Sequence, residues 1–107
     1  MYDSMVQENE IKTDNDDFMK EFESWSREVA EVLAKRNLIT DGALSEDQWK
    51  VIEYVHEYYK KHGVGPIILK IGKATGLSSR KICELFPCGV VKGAYRLAGL
   101  PRPPGCI

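Results

Sequence analysis

Residues 45–63 read SEDQWKVIEYVHEYYKKHG, and their pattern decides the fold. The first four match S-x-x-Q. In that motif the serine hydroxyl accepts from the third helical N–H, and the glutamine side chain reaches back to the serine N–H. A helix is therefore predicted from Ser45 to about Lys61. Trp49, Ile52, Val55, His56 and Tyr59 share one stripe of it, which is the spacing of a helix with one buried side. Gly63 and Gly65-Pro66 end it and open a turn. His56 on that stripe is read as a packed, hydrogen-bonded histidine rather than a ligand.

Toward the N-terminus, Ser24 is expected to cap a helix running to about Arg36, with Trp25, Val29, Val32 and Leu33 on its apolar face. Residues 1–18 are polar and acidic, with Ile11 and Phe18 as apolar anchors; they are expected to fray or to form a short β-hairpin. Toward the C-terminus, a short helix is predicted over about Pro66 to Ala74, with proline in its first turn. Gly76 stops it, and Ser78 caps another helix to about Phe86. A last helix covers roughly Gly89 to Ala98, with Gly99 as its stop and Val91, Ala94, Tyr95 and Ala98 on one face. Pro101, Pro103 and Pro104 rule out helix beyond that point and favour an extended, polyproline-like arm. The fold class is mainly α: a small helical domain of about five helices over residues 1–99, then an arm over 100–107.

Composition bounds the function. With 107 residues, 43% hydrophobic and 29% charged, the chain is one ordinary globular domain. No apolar run approaches the ~20 residues needed to cross a membrane. The stretch Met1 to Glu10 is acidic and unlike a signal peptide, so a cytoplasmic location is expected. Residues 1–44 hold 11 acidic and 5 basic side chains, whereas residues 45–107 hold 5 acidic and 10 basic. A basic C-terminal half suits an anionic partner or an acidic protein surface, and it equally suits simple solvated charge. The three cysteines, Cys83, Cys88 and Cys106, are an odd number without a C-x-x-C pair. His56 and His62 complete no zinc spacing. Neither a metal site nor a bound cofactor is expected.

Cys106 stands one residue from the chain end. A structural cysteine normally lies in an element that helps form the core, whereas Gly105 leaves the backbone here free to place the sulfur. The proline segment stiffens the arm, so little entropy remains to be lost on binding. Extended from Gly99, the arm would reach roughly 20 Å at about 3.3 Å per residue. That suits delivering a thiol into another protein's cleft. Thiolate is the reactive form, and a free thiol titrates near ~8.5. Arg102, Lys92 and Arg96 are the nearest cations in sequence and would support a thiolate or persulfide anion. The terminal carboxylate of Ile107 opposes them. Cys106 is thus open to two readings: a sulfur bearer that attacks the outer sulfur of a donor persulfide, or a stray terminal thiol.

Residues 85–107, LFPCGVVKGAYRLAGLPRPPGCI, resemble the DsrC/TusE family of sulfite reductase gamma-subunit-like sulfur carriers. The family pattern is close to LFP-x-GPxKxAxxxAGLPKPxGC followed by Val or Ile. Fainter similarity reaches back through the Trp49 helix to the Trp25 helix. The resemblance implies a mostly helical fold, often with a small N-terminal hairpin, and a persulfide on the residue matching Cys106. It implies a sulfurtransferase-type carrier rather than a classical enzyme. The partners would be an upstream persulfide donor and a downstream acceptor, either a tRNA thiolation enzyme or sulfite reductase. DsrC proteins proper carry a second tail cysteine ten residues earlier, where this chain has Tyr95. TusE-type members lack it as well. Val90 replaces the usual proline, Pro104 stands where threonine is frequent in DsrC, and residues 73–81 lack the insertion typical of TusE.

Other residues are open to two readings. Cys88 precedes the last helix, whose dipole would favour thiolate. It is read first as a half-buried turn cysteine, and alternatively as a replacement resolving thiol for Cys106. Cys83 is expected in the core beside Ile82 and Leu85. Residues 66–86 have a helix-turn-helix pattern, with Gly72 and Gly76 near the turn and Ser79, Arg80, Lys81 and Glu84 outward. Such a pair can read DNA with Ser79, Arg80 and Lys81, or can be a packing unit alone. A third class of function is a gamma-type accessory subunit of sulfite reductase.

Overall fold

The computed structural model describes residues 12–14, 17–37, 39, 43–86 and 90–101, and for 90–92 the backbone alone. The first described element is a short antiparallel pairing. Thr13 and Met19 bridge, Lys20 N–H donates to Lys12 O at 2.9 Å, and Asp14 N–H donates to Phe18 O at 2.9 Å. Asp17 takes a left-handed φ of 68° in the turn, which brings Phe18 and Met19 round into the core. This is the small N-terminal hairpin. Ile11 lies outside the described residues.

A 3-10 turn, Phe22–Ser24, precedes the first α-helix. That turn takes Ser24 out of the capping position. Ser26 caps instead, with extended backbone and a hydroxyl that accepts from Val29 N–H at 3.3 Å. Helix α1 is therefore Arg27–Arg36, and Trp25 lies ahead of it rather than on its apolar face. Val29, Ala30, Leu33 and Ala34 are its buried side.

Helix α2, Glu46–His62, has both halves of the expected capping box. Gln48 N–H donates to Ser45 Oγ at 3.1 Å, and Ser45 N–H to Gln48 Oε1 at 2.9 Å. The Gln48 amide does a second job that the motif does not disclose. Its Nε2 donates to Leu85 O at 2.8 Å, supplying one of the carbonyls that every helix leaves without an internal partner at its C-terminus. Val51, Ile52 and Val55 are buried. Trp49 is half-buried under the Arg27 guanidinium, 4.3 Å from the ring centre, and Arg27 is paired with Glu53 at 2.6 Å.

Helices α3, Ile68–Thr75, and α4, Ser79–Leu85, form the expected pair around Gly76. Pro66 is not in the first turn of α3 but precedes its cap, Ile67. Ser78 caps α4 with its hydroxyl on Lys81 N–H. Ile71 and Ile82 are buried between the elements, while Ser79, Arg80, Lys81 and Glu84 are exposed. Cys83 is a correction: it is an exposed free thiol. Ile82 and Phe86, one helical turn apart, are the inward pair, and the next position round the helix faces out. Helix α2 is central, touching α3, α4 and the C-terminal helix.

That last helix also differs from the expectation. Val90–Tyr95 is π-helix, and one α-helical turn follows. Its buried residues are Ala94, Leu97 and Ala98, followed by Leu100. Leu100, read from sequence as the first residue of the arm, therefore belongs to the core. Among the described residues no helix is long and apolar enough to cross a membrane.

The double role of Gln48 is testable by thermal melting. Ser45→Ala removes a cap and should cost about 1 kcal/mol. Gln48→Ala also strips the donor from a carbonyl and should cost more, about 1–3 kcal/mol for that group alone. With ~4–8 °C per kcal/mol in a small domain, the second variant should melt several degrees below the first. Equal losses would contradict the Gln48–Leu85 link.

Candidate functional site

The C-terminal helix is the last helix described, and its end is held by several hydrogen bonds. The helix closes with a Schellman motif. Leu100 N–H donates to Tyr95 O at 3.1 Å, and Gly99 N–H to Arg96 O at 3.2 Å. Gly99 has φ +88°, a conformation that costs an ordinary L residue roughly 1–2 kcal/mol. Two carbonyls remain, those of Leu97 and Ala98. Trp25 Nε1–H donates to Leu97 O at 2.7 Å. His56 Nδ1 lies 2.8 Å from Ala98 O, and because a carbonyl only accepts, the proton is on Nδ1.

The two donors hold each other. The His56 ring is sandwiched between Trp25, at 4.1 Å between centroids, and Phe22, at 4.4 Å. A side chain at position 99 would meet Trp25, since a Cβ there would lie 2.6 Å from its Cδ1. Thus the indole lies directly on the glycine that turns the chain out toward Pro101. Beside this clamp is an open cleft of about 460 Å³, lined by Phe22, Glu23, Trp25, His56, Tyr59 and Lys60. His56 is the packed, hydrogen-bonded histidine that its stripe predicts. Trp25 as a capping donor was not legible, although an indole N–H next to an apolar stripe always raises the question of its acceptor.

A second tie fixes the other side of the same helix. Arg96, only 6% exposed, donates from Nη1 to Asn37 Oδ1 at 2.6 Å and lies 5.2 Å over the Phe18 ring. Asn37 Nδ2 donates to Leu33 O at 2.8 Å and to Asp17 Oδ2 at 3.1 Å, and Asp17 pairs with Arg36 at 2.5 Å. Arg96 therefore binds the helix to the N-terminal hairpin and α1, and its guanidinium is engaged in the body of the protein. Cys106, Cys88 and Arg102 lie outside the described residues, as does the Lys92 side chain. Among the described residues no group of three or more His, Cys, Asp or Glu side chains could hold a metal.

Tyr95 stands where a second tail thiol would be, and it is a packing residue. Its hydroxyl donates to Pro66 O at 2.7 Å, and its ring lies so close to Gly65 that a Cβ there would be 2.6 Å from Cζ. The position is taken by an aromatic that joins the C-terminal helix to the turn before α3.

The sequence that follows this fixed helix end contains Pro101, Pro103, Pro104 and Cys106. The family model for DsrC-like proteins matches residues 5–107, and the chain belongs to that family. It is 38% identical over 97 residues to the dissimilatory-type sulfite reductase subunit gamma of Nitratidesulfovibrio vulgaris, covering 91% of this chain and 90% of that protein. It is 36% identical over 106 residues to the sulfurtransferase TusE of Escherichia coli strain K12, covering 92% and 94%. The crystal structure of the oxidized gamma subunit of dissimilatory sulfite reductase (DsrC) from Archaeoglobus fulgidus superposes with a TM-score of 0.79 at 37% identity, covering 91% and 92%. The mainly helical fold and the family expected from residues 85–107 are both borne out.

The clamp makes a coupled prediction. Trp25→Phe keeps the stacking and loses one donor, so a loss of about 1–2 kcal/mol is expected. Gly99→Ala should cost at least as much, from φ alone and from contact with the indole. In Trp25→Ala with Gly99→Ala the contact is gone, so the double loss should fall short of the sum of the singles. Strictly additive losses in denaturant melts would contradict the close approach.

Proposed function

We propose that this protein is a cytoplasmic one-thiol sulfur carrier, in which Cys106 takes a sulfur atom from a donor persulfide and delivers it to a partner enzyme. The Cys106 thiolate attacks the outer sulfur of the donor. A Cys106 S–S bond forms, the donor S–S bond breaks, and the donor leaves as a thiol. Delivery is the same exchange in reverse order, so no external oxidant or reductant is needed. The observation that carries the reading is the clamped helix end, where Trp25, His56 and Gly99 fix the point from which the proline-rich sequence continues. The packed Tyr95 supports a single-thiol cycle, because a phenol cannot pair with Cys106 in a disulfide. The partners are an upstream persulfide donor and a downstream acceptor of the tRNA-thiolation or sulfite reductase kind. Arg102 and Lys92 are the proposed electrostatic support for the sulfur anion.

The test is intact and peptide mass spectrometry after incubation with glutathione persulfide. A gain of about 32 Da, one sulfur atom, is expected on the peptide containing Cys106. It should vanish in Cys106→Ser and persist in Cys88→Ser. Persistence in Cys106→Ser would overturn the assignment. A Cys88–Cys106 crosslinked peptide under mild oxidant would replace the one-thiol cycle with a two-thiol one.

A further inference from the structure

Among the described residues the large hydrophobic side chains that stay exposed are Val64, Ile67 and Leu69, at 59%, 58% and 65%. All three fall within six positions, in the α2–α3 turn and the first turn of α3. Single exposed apolar residues are ordinary, but a cluster of this kind marks an interaction site. The turn is anchored from its inner side by Tyr95, through Pro66 O and the close approach to Gly65.

The cluster lies in a basic stretch of sequence, while Glu57, just before it, lines the same cleft as Lys61. From Tyr58 to Cys83 the sequence contains Lys60, Lys61, Lys70, Lys73, Arg80 and Lys81 and no acidic residue. All six are exposed, and none is in an ion pair among the described residues. Lys70 reaches to 6.0 Å over the Tyr58 ring, and His62 lies 4.3 Å from the same ring. The end of α2 and the start of α3 therefore make one continuous surface.

We infer that this surface, Val64, Ile67 and Leu69 with Lys70 and Lys73 at the i+3 and i+4 positions beside Ile67 and Leu69, docks a partner protein whose apolar contact patch is edged with carboxylates. The aliphatic centre needs an apolar counterpart, which a phosphate backbone lacks. The unpaired lysines need anions around it, and complementary charge of this kind speeds encounter and selects partners. The inference rests on the sulfur-carrier reading and adds where the partner sits. Tyr95 bonds the docking turn to the C-terminal helix, the element that precedes the tail in sequence.

The test uses the full chain. Proteins that form a mixed disulfide with Cys106 in a lysate of the source cells are identified, and the trapped protein is purified. Sulfur transfer from persulfide-loaded chain is then measured to that protein and, separately, to dithiothreitol. Ile67→Ser with Leu69→Ser, and Lys70→Glu with Lys73→Glu, change exposed positions and should leave the helical circular dichroism spectrum at the assay temperature unchanged. Both should slow transfer to the protein by about tenfold or more and leave discharge to dithiothreitol at the wild-type rate. Added salt should slow the wild type and have little effect on the charge-reversed variant. Unchanged transfer to the protein would overturn the docking surface and leave the carrier intact. Failure of the wild type to load, or to trap any protein, would overturn the carrier reading and the docking with it. Binding of duplex DNA or of phosphatidylglycerol vesicles that is lost in the charge-reversed variant, with transfer unaffected, would assign the surface to that ligand and overturn a protein partner.

Discussion

Two backbone carbonyls, those of Leu97 and Ala98, set the main constraint on this molecule. They lie at the end of a helix, where no N–H of the helix itself is left to meet them, and an unmet buried carbonyl costs about 1–3 kcal/mol. Trp25 and His56 supply the donors, and they come from separate parts of the chain. One stands ahead of α1 and the other is on the central helix α2. Satisfying the two carbonyls therefore draws the N-terminal third, the middle and the C-terminal helix to one point. Gly99 is at that point, where it turns the chain toward the buried Leu100.

The opposite side of the C-terminal helix is held by polar ties of similar reach. Arg96, Asn37, Asp17 and Arg36 form a chain of hydrogen bonds from the helix to the hairpin, and Tyr95 bonds to the turn before α3. Together these ties hold the C-terminal helix to the hairpin, to α1 and to the turn before α3. The same helix touches the turn that bears the exposed aliphatic cluster, through Tyr95 against Gly65 and Pro66.

Much of this was readable from residues. The capping box at Ser45 and Gln48, the stops at Gly63 and Gly76 and the turn at Gly99 are local rules, and local rules leave local traces. What was not readable depends on distant partners. Ser26 rather than Ser24 caps α1 because Phe22–Ser24 turns first, and a sequence offering two serines does not rank them. Cys83 looked apolar by its neighbours, yet a seven-residue helix with Ile82 and Phe86 inward leaves it outside. Arg96 looked like a free cation near the tail, whereas its acceptor is 59 positions away. The π-helical start of the last helix has no signature in its composition. The candidate cysteine, Cys106, stands out by position and by family resemblance, while the Trp25 and His56 ties at the end of the C-terminal helix needed coordinates.

The most direct measurement is sulfur loading on a variant in which Cys106 is the sole thiol, made by Cys83→Ser and Cys88→Ser. Treated with glutathione persulfide and read by intact mass, it is expected to take up one sulfur atom per chain and to release it to a thiol acceptor. A chain that stays at its unmodified mass while the wild type gains sulfur would contradict a one-thiol carrier and place the chemistry on another cysteine.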